Sequence, residues 1–454
     1  MYLFVGYSRL QQDDAYIFYT YAKNIAEGNG YVYNPGERIN ATTSALYTIL
    51  LASVYFPVKN FFPDSLPYIA LLIGFISLCF LIFIVQKILS GNKIASFMFP
   101  LLFMANPLLK FGIGMETYLN LVMITAAIFY YYKRRLIITS VFCALAVLAR
   151  LDSVILPVVI LLYHLFKEKE PLPFKAIAVF ILILLPWFLF SYIYFDSILP
   201  TTVYIKLNQS KLGFFGSGLI FIKGLFNSVP GTRITGTMIL ISVLLTTVYF
   251  TITKKFSEQN KGIILILLWG LVLFITYAFI LNAPPYPWYY SPFSLPVSVL
   301  LSVLLGELLA DKKKFLTYSF AALLLLTTLI LPTKTFLEGY NSKYIYYIRA
   351  TEWLNKNAGE NSLLAVDEIG IIGYYYEKGK IIDMLGIITP DIMEMQLRGN
   401  QAGYIDKYRP DYILTDYPHA PIHTGMNDSR FRDNYKKVWQ TEAENQFIAI
   451  FKKK

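Results

Sequence analysis

The stretch PYIALLIGFISLCFLIFIVQKIL, residues 67–89, contains 23 residues and one charged side chain, that of Lys87. An apolar run of this length can cross the hydrocarbon core of a bilayer as a single helix, which needs about 20 residues. The whole chain shares this character, since hydrophobic residues make up 56% of it, charged residues 15%, and the mean hydropathy is +0.51. One soluble core could not bury so much apolar side chain, so the composition indicates an α-helical polytopic membrane protein.

Further apolar runs follow this segment and bring the number of predicted spans to about ten. They lie near 67–89, 94–110, 114–132, 136–149, 153–166, 174–195, 234–253, 261–281, 289–309 and 315–331. Several are shorter than a membrane-crossing helix prefers, so their ends are less well defined than their existence. The run at 44–56 has only 13 residues. We expect it to form a helix packed at the outer surface of the membrane rather than a span.

Lysine and arginine residues concentrate in every second loop between these runs, which predicts the orientation of the spans. The basic positions are Lys87 and Lys93, Lys133–Arg135, Lys167, Lys169 and Lys175, Lys254, Lys255 and Lys261, and Lys312–Lys314. Because such loops face the cytoplasm, we expect residues 1–66 to form a first extracytoplasmic loop, 67–331 the transmembrane domain and 332–454 a soluble extracytoplasmic domain. The net charge of +11 is then a consequence of topology, and no nucleic-acid binding is expected.

The composition changes after Pro332, where charged residues and turn residues alternate with short apolar segments. Strands are predicted at 362–366, 380–382 and 411–415, and helices at 350–357 and 390–397. This alternation favours a small C-terminal α/β domain. Asp367 and Glu368 directly follow the first strand, where they would bind a ligand or cap the next helix, and capping is the interpretation we favour.

Two adjacent carboxylates, Asp13 and Asp14, open a polar and aromatic stretch that precedes the first span. The stretch continues through Ala15–Ile17, Tyr21–Asn24, Gly28–Gly30, Asn34–Glu37 and Thr42–Thr43. It resembles the first extracytoplasmic loop of the GT-C class of glycosyltransferases that use polyprenyl-phosphate sugars, most closely the branch that includes mycobacterial terminal β-(1→2) arabinofuranosyltransferases. Later pieces of the pattern follow in order: Gly114–Thr117, Leu148–Asp152, Pro186–Trp187, Leu199–Thr202 with Lys206, Asp367–Tyr374 and Ile382–Gly386. The resemblance implies a GT-C fold, a polyprenyl-phosphate-linked sugar donor and an Asp of this loop as general base.

In that class a transmembrane helix precedes the acidic loop, whereas nothing before Asp13 resembles a span or a signal peptide. An outward segment of this length needs something to translocate it. We therefore expect a further N-terminal transmembrane helix to be encoded upstream of Met1. A stop codon close upstream, with no apolar segment between it and Met1, would contradict this expectation.

Sugar transfer to a hydroxyl needs a base for the acceptor proton and a means of stabilising the departing phosphate. Asp13 is expected to be the base, with Asp14 in a supporting role. Two adjacent carboxylates disfavour joint ionisation, so one of them would have a raised pKa, or a divalent cation would bridge them to the phosphate. The alternative is structural, because either residue could cap a helix from Ala15 to Glu27.

Arg150 and Asp152 separate two apolar runs of about 14 residues, which as helices rise roughly 21 Å against a hydrocarbon core of about 30 Å. The turn between the runs should therefore lie within the outer leaflet, where ionisable groups usually face a cavity or a partner. Arg150 is expected to hold the lipid-linked phosphate through paired hydrogen bonds. The alternative is an Arg150–Asp152 pair that only neutralises the turn.

Three further charged residues are candidates on weaker grounds. Lys206 follows the class pattern and is expected to bind the donor phosphate. Glu116 follows a flexible turn and would support the active site, or equally would cap a helix at the interface. Arg233 would add positive potential, although a solvated loop charge is the interpretation we favour. The aromatic loop Asn282–Tyr290 is assigned to the membrane interface in preference to sugar stacking.

The expected function is an inverting glycosyltransferase of the cytoplasmic membrane. It would move a sugar from a polyprenyl-phosphate donor to a cell-surface glycan, lipid or protein acceptor at the outer face. The alternative is a transporter or flippase of a lipid-linked glycan, which would show charges near the middle of the membrane and an internal repeat. Neither feature is evident in the sequence. An inactive relative retained as a binding protein is a third interpretation.

Overall fold

The computed structural model describes residues 11–212, 218–227, 261–309, 342–417, 425–441 and 447–454. Two of the predicted spans, near 234–253 and 315–331, lie outside these residues. The same holds for Arg233 and for the basic positions Lys254, Lys255 and Lys312–Lys314.

The first region forms two helices joined by an irregular segment: α1, Asp13–Glu27, and α2, Ala45–Tyr55. α1 ends at Gly28, whose φ of +88° lies in the left-handed region and lets its N–H reach carbonyls of the last turn. α2 begins after Ser44, whose hydroxyl accepts a hydrogen bond from a backbone N–H of the first turn. The short helix predicted at 44–56 is confirmed, with a length of 11 residues.

The apolar region folds into a helical bundle. Its helices are α3 (Leu66–Ile88), α4 (Lys93–Met104), α5 (Thr117–Tyr132), α6 (Leu136–Ala149), α7 (Ile155–Leu162), α8 (Phe174–Phe195), α9 (Thr201–Lys211), α10 (Ile220–Asn227), α11 (Lys261–Ile275), α12 (Pro287–Tyr290) and α13 (Ser294–Leu309). They are connected or extended by 3-10 turns at Leu109–Gly112, Leu151–Val154 and Ser291–Phe293 and by π-helical turns at Tyr163–Lys167 and Thr276–Ile280.

Four helical segments of the described chain are long and apolar enough to cross a membrane: Leu66–Ile88, Phe174–Phe195, Lys261–Ile280 and Pro287–Leu309. They correspond to the spans predicted at 67–89, 174–195, 261–281 and 289–309. The runs predicted at 94–110, 114–132, 136–149 and 153–166 instead form helices of 12, 16, 14 and 8 residues. The number of about ten spans therefore stays a prediction.

The bundle buries side chains where its helices touch and leaves apolar faces outward. α5 packs against α3 and α6, and α13 packs against α4. Leu81, Phe99 and Ile124 are fully buried in the core of the bundle. α3 and α8 expose large apolar side chains, among them Phe75 and Ile181. Exposed apolar faces of this kind are unfavourable in water and fit contact with lipid.

The C-terminal region forms the small α/β domain that the sequence predicts. Its helices are α14 (Ser342–Asn357), α15 (Ile371–Tyr375), α16 (Pro390–Leu397), α17 (Gly403–Tyr408) and α18 (Ser429–Asn434). Its strands are β1 (Leu364–Val366), β2 (Ile381–Asp383), β3 (Tyr412–Tyr417), β4 (Tyr435–Gln440) and β5 (Phe447–Lys453). The strand order is β2-β1-β3-β5-β4, in which β2, β1 and β3 are parallel and β5 pairs antiparallel with β3 and β4.

The first region and the C-terminal domain share one hydrophobic core. Tyr16 and Tyr19 of α1 pack against Tyr374 of α15, with ring centroids 5.6 and 6.1 Å apart. The hydroxyl of Tyr33 donates a hydrogen bond to the carbonyl of Ile369, 336 residues away in sequence. Burial of large aromatic side chains is a strong stabilising contribution, so these distant segments form one packed unit.

Candidate active site

A cavity of about 320 Å³ lies where α1, α9, the turn after α6 and the loop before α12 meet. Five of the seven residues singled out from the sequence line it, namely Asp14, Glu116, Arg150, Asp152 and Lys206. Asp13 is not part of this lining, and Arg233 lies outside the described residues. Most of the remaining lining is apolar. A concave apolar wall with a few convergent charged groups is typical of a small-molecule site.

The turn after α6 places Arg150 at the cavity. Arg150 has an extended backbone, with φ −155°, and separates α6 from the 3-10 turn Leu151–Val154. Asn120 of α5 holds this turn, because its side-chain amide donates to a carbonyl of the last turn of α6 at 3.0 Å and to Ser153 Oγ at 2.7 Å. The position of Arg150 is therefore fixed by hydrogen bonds to a neighbouring helix.

The guanidinium of Arg150 lies between two carboxylates. Its Nη2 donates to Asp152 Oδ2 at 2.7 Å and its Nε donates to Asp152 Oδ1 at 3.2 Å. Its Nη1 donates to Glu116 Oε1 at 2.9 Å. Tyr277, in the π-helical turn after α11, donates its hydroxyl to Asp152. The Arg150–Asp152 pair considered from the sequence is present, and it lines the cavity at the same time.

Glu116 directly precedes α5 and is 2% exposed. Its Oε1 accepts from Arg150, whereas its Oε2 has no hydrogen-bond partner among the residues that the structure describes. A buried carboxylate oxygen without a partner is uncommon and unfavourable. A hydroxyl group bound in the cavity could supply the missing hydrogen bond.

Asp14 and Lys206 form a second charged pair in the cavity, with Asp14 Oδ2 and Lys206 Nζ 3.8 Å apart. Burial raises the pKa of Asp14 to about 6, and the Lys206 ammonium offsets part of that rise. The negative charges of Glu368 and Glu116 also contribute to the raised pKa of Asp14. A carboxylate with such a pKa is ionised at neutral pH and is matched to accepting a proton there.

Asp13 has a different environment, although it is the neighbouring residue. Its carboxylate accepts hydrogen bonds from the backbone N–H groups of Gly370 at 2.9 Å and Ile371 at 2.8 Å. These donors lie at the start of α15, so Asp13 caps a helix of the C-terminal domain. Burial and the charge of Glu368 raise the pKa of Asp13 well above its ordinary value, while the N–H of Ile371 lowers it.

The two carboxylates therefore differ in what they contact. The sequence favoured Asp13 as the base, with capping of α1 as the structural alternative. The residue before α1 is Gln12, whose side chain makes no capping hydrogen bond to that helix. Asp13 instead caps α15, a helix of the C-terminal domain. Asp14 is the carboxylate that lines the cavity.

Three aromatic rings surround the ammonium of Lys206. Its Nζ lies 5.2 Å from the ring centroid of Tyr286, 5.4 Å from that of Trp288 and 5.2 Å from that of Tyr289. Cation–π contacts of this kind stabilise a charged group that is largely removed from water. The sequence favoured a membrane-interface position for this loop and did not indicate its contact with Lys206. The closely spaced prolines of the loop, which restrict its backbone, were the available signal.

The C-terminal domain reaches the cavity through the loop after β2. The Asp383 carboxylate accepts from the N–H groups of Leu385 at 2.8 Å and Ile388 at 3.1 Å, and also from that of Ile387. This loop places Ile387 in the cavity wall. Thr201, at the start of α9, donates its hydroxyl to the carbonyl of Ile387 at 2.5 Å. The wall is therefore built jointly by the bundle and the domain.

Asp367 and Glu368 directly follow β1 and precede α15, whose first N–H groups donate to Asp13. Asp367 accepts a hydrogen bond from the hydroxyl of Thr415 at 2.8 Å. Glu368 is partly exposed, and its charge raises the pKa values of Asp13 and Asp14. Glu368 therefore lies close enough to the acidic pair to affect its ionisation, which no local sequence pattern indicated.

No group of three or more His, Cys, Asp or Glu side chains among the described residues is arranged to hold a metal ion. The sequence allowed a divalent cation that bridges the acidic pair to the donor phosphate. Magnesium is often bound by one or two carboxylates together with substrate phosphates.

Comparison with solved structures relates this architecture to known proteins. ArnT from Cupriavidus metallidurans bound to undecaprenyl phosphate is similar over 99% of this chain and 96% of its own, with a TM-score of 0.57 and 10% identity. An oligosaccharyltransferase from Archaeoglobus fulgidus, in complex with zinc and sulfate, is similar over 97% of this chain and 69% of its own, with a TM-score of 0.54 and 15% identity. Both are GT-C glycosyltransferases. The chain has a GT-C fold.

The apo state of ArnT gives the same result, with a TM-score of 0.58 over 99% of this chain and 95% of ArnT at 9% identity. By sequence, residues 338–451 match a family described as a domain of unknown function, DUF8728. No protein of curated function matches the sequence. The resemblance to the arabinofuranosyltransferase branch stays a prediction.

Proposed function

We propose that the protein is an inverting glycosyltransferase that moves a sugar from a polyprenyl-phosphate donor to a hydroxyl of a cell-surface glycan, lipid or protein. The observation that carries this proposal is the Asp14–Lys206 pair, 3.8 Å apart, in a cavity that also contains Arg150. A proton acceptor and two cations in one cavity match what transfer from a lipid-linked phosphate requires. The GT-C fold supports the same assignment.

In the proposed reaction, Asp14 removes the proton of the acceptor hydroxyl as its oxygen attacks the anomeric carbon. The new carbon–oxygen bond forms on the face opposite the phosphate, and the bond between the anomeric carbon and the phosphate oxygen breaks. The proton remains on Asp14, and polyprenyl phosphate leaves with both electrons of the broken bond. A single displacement of this kind inverts the anomeric configuration.

The two cations are proposed to have different roles. Among the residues that the structure describes, Asp14 is the carboxylate within 4 Å of Lys206 Nζ, at 3.8 Å, and the other neighbours include aromatic rings. We propose that the charge of Lys206 is largely available to the leaving phosphate. Arg150 is bound by both Asp152 and Glu116, so its charge is already compensated. We infer that Lys206 binds the phosphate directly and that Arg150 mainly positions the carboxylates. Glu116 Oε2 is proposed to accept from a sugar hydroxyl.

The placement in the membrane follows from the charge pattern of the loops. We propose that the first region, the cavity and the C-terminal domain lie at the outer face, because the loop Lys133–Arg135 lies at the other end of α5 from Glu116. The finer branch assignment, to relatives of arabinofuranosyltransferases, rests on the first-loop motif. The donor would then be a polyprenyl-phosphate pentose.

The test is an assay of wild-type protein and two matched variants in proteoliposomes with a panel of polyprenyl-phosphate sugars. Loss of the base in Asp14→Asn should reduce kcat about 10²–10⁴-fold. Asp13→Asn, one residue away, should retain far more activity, because Asp13 lies outside the cavity lining. Full transfer by Asp14→Asn would remove the proposed base. Absence of transfer by the wild type from every donor would favour the transporter alternative.

A further inference from the structure

The helix that carries Lys206 lies against the C-terminal domain. α9 packs on α16, and this is its most extensive contact with another helix or strand among the residues that the structure describes. Ile205, the residue before Lys206, is fully buried. The position of Lys206 in the cavity therefore depends in part on a surface that the C-terminal domain supplies.

That surface includes the loop after β2, residues 383–388, which we call the β2 loop. Gly386 has a φ of +89°, in the left-handed region that glycine adopts without strain. A Cβ atom on Gly386 would lie 3.3 Å from Ile205 Cδ1 and 3.2 Å from the backbone nitrogen of Met393 in α16. Both separations are close packing, so the backbone of the β2 loop lies directly against α9.

The first turn of α9 is bonded to the same loop. Thr201 donates its hydroxyl to the carbonyl of Ile387 at 2.5 Å, and the same hydroxyl lies 3.1 Å from the carbonyl oxygen of Asn40. Thr201 and Lys206 are five residues apart, which is roughly 7.5 Å along a helix. The β2 loop therefore holds α9 both at its start and at the residue that precedes Lys206.

The shape of the β2 loop depends on one buried carboxylate. Asp383 is 1% exposed. Its Oδ1 accepts from the N–H of Leu385 at 2.8 Å, and its Oδ2 accepts from those of Ile388 at 3.1 Å and Ile387. A carboxylate can accept hydrogen bonds at both oxygens, whereas the side-chain nitrogen of Asn can only donate. An Asn at this position could not hold all three N–H groups.

We infer that Asp383 is a positioning residue for the donor phosphate. It fixes the β2 loop, the loop fixes α9, and α9 holds Lys206 Nζ in the cavity, 3.8 Å from Asp14. This inference rests on the proposed function, in which Lys206 binds the phosphate. Asp383 does not line the cavity, so its effect must pass through the residues that do.

The experiment measures the Kd of undecaprenyl phosphate for variants on both sides of the contact. Asp383→Asn removes an acceptor of the β2 loop, and Thr201→Val removes the hydroxyl bonded to Ile387 while nearly keeping the shape of the side chain. Asp428→Asn is the matched control. Asp428 belongs to the same domain and also accepts a backbone N–H, that of Arg430 at 2.9 Å, but it precedes α18 and does not line the cavity.

The Kd should rise roughly tenfold in Asp383→Asn and roughly threefold in Thr201→Val, because the contact of Lys206 with the phosphate is weakened. It should stay unchanged in Asp428→Asn. Since the Kd is measured on folded protein, a loss of stability alone does not produce this pattern. Thr201→Val decides the question if Asp383→Asn does not fold. A normal Kd in Thr201→Val, or an equal rise in Asp428→Asn and Asp383→Asn, would overturn the inference.

A double-mutant cycle with Lys206→Met tests whether the effect of Asp383 passes through Lys206. Lys206→Met alone should raise the Kd by roughly tenfold or more, and adding Asp383→Asn should raise it no further. A full additional rise in the double variant would overturn the inference.

The same measurements separate this inference from the proposed function. If Lys206→Met raises the Kd and the variants of Asp383 and Thr201 do not, the positioning role fails and the proposed function stands. If the wild type transfers no sugar from any donor but the expected pattern of Kd values is found, the proposed function fails and the positioning role stands.

Discussion

Two charged clusters, each with a buried central residue, lie at opposite ends of the same helices. The Arg150 cluster consists of Glu116, Arg150 and Asp152, at the start of α5 and the end of α6. The Glu168 cluster consists of Arg134, Glu168 and Lys261, beyond the end of α5 and at the start of α11. In the first, one cation lies between two carboxylates. In the second, one carboxylate lies between two cations.

The difference teaches that a buried ion pair does not by itself mark a site. The Arg150 cluster lines a cavity that contains another acid and another cation, Asp14 and Lys206. Glu168 is surrounded by its two cations and the Tyr131 hydroxyl, and it does not line the cavity that contains Asp14. We expect catalysis where a charged cluster lines a cavity, and a purely structural role where it does not.

The largest effect should follow from removing the central cation of the Arg150 cluster. Arg150→Met leaves two buried carboxylates without their shared partner, which should lower the free energy of unfolding by about 3–5 kcal/mol. Thermal unfolding in detergent measures this. Arg134→Met is the matched control, because 49% of the Arg134 side chain is exposed and exposed pairs contribute about 0–1 kcal/mol. Similar losses in the two variants would contradict the comparison.

The central anion of the other cluster should matter for stability but not for catalysis. Glu168→Gln weakens hydrogen bonds to charged groups, so it should cost about 1.5–3 kcal/mol of unfolding free energy. The kcat of the folded fraction should stay unchanged, since Glu168 lies at the other end of the helices from the cavity. A loss of kcat comparable to that of Asp14→Asn would show that the Glu168 cluster takes part in catalysis.

The pH dependence of activity should follow the ionisation of Asp14 in the cavity. Asp14 must be ionised to act as base, and its pKa is about 6, so kcat/KM should fall as pH drops below about 6 and level off above it. Lys206→Met removes a charge that lowers this pKa, so the midpoint of the profile should move to higher pH. A profile that is flat between about pH 5 and 7 would exclude Asp14 as the titrating base.

The smallest effect should come from the rings around Lys206. Trp288→Leu removes one of three cation–π contacts, which is worth about 1 kcal/mol, and should raise KM for the donor about fivefold. Tyr132→Leu is the control, because its ring lies 5.1 Å from Lys133 Nζ at the opposite end of α5. Equal KM values for Trp288→Leu and the wild type would show that the Trp288 ring contributes to packing but not to donor binding.

The sequence predicted those features that depend on neighbouring residues. The limits of α6 and α8 agree with the predicted runs at 136–149 and 174–195, because charged or turn-forming residues end each apolar run. The Arg150–Asp152 pair, two residues apart, was predicted as an alternative and is present.

The features that sequence analysis missed depend on contacts between distant segments. The roles of Asp13 and Asp14 are divided by a contact with Gly370, 357 residues away. The entry of Ile387 into the cavity wall follows from the docking of the C-terminal domain. No local pattern in a single sequence encodes such contacts, because they arise from tertiary packing.

The hydrogen bonds of Asp13 to Gly370 and Ile371 have a mechanical consequence. Asp13 and Asp14 are consecutive residues of one helix, so any displacement of the C-terminal domain that pulls on Asp13 also shifts Asp14. Docking of the domain is therefore coupled to the position of the proposed base. A ligand that displaced the C-terminal domain would therefore change the position of Asp14, and with it the rate of the proposed reaction, without entering the cavity.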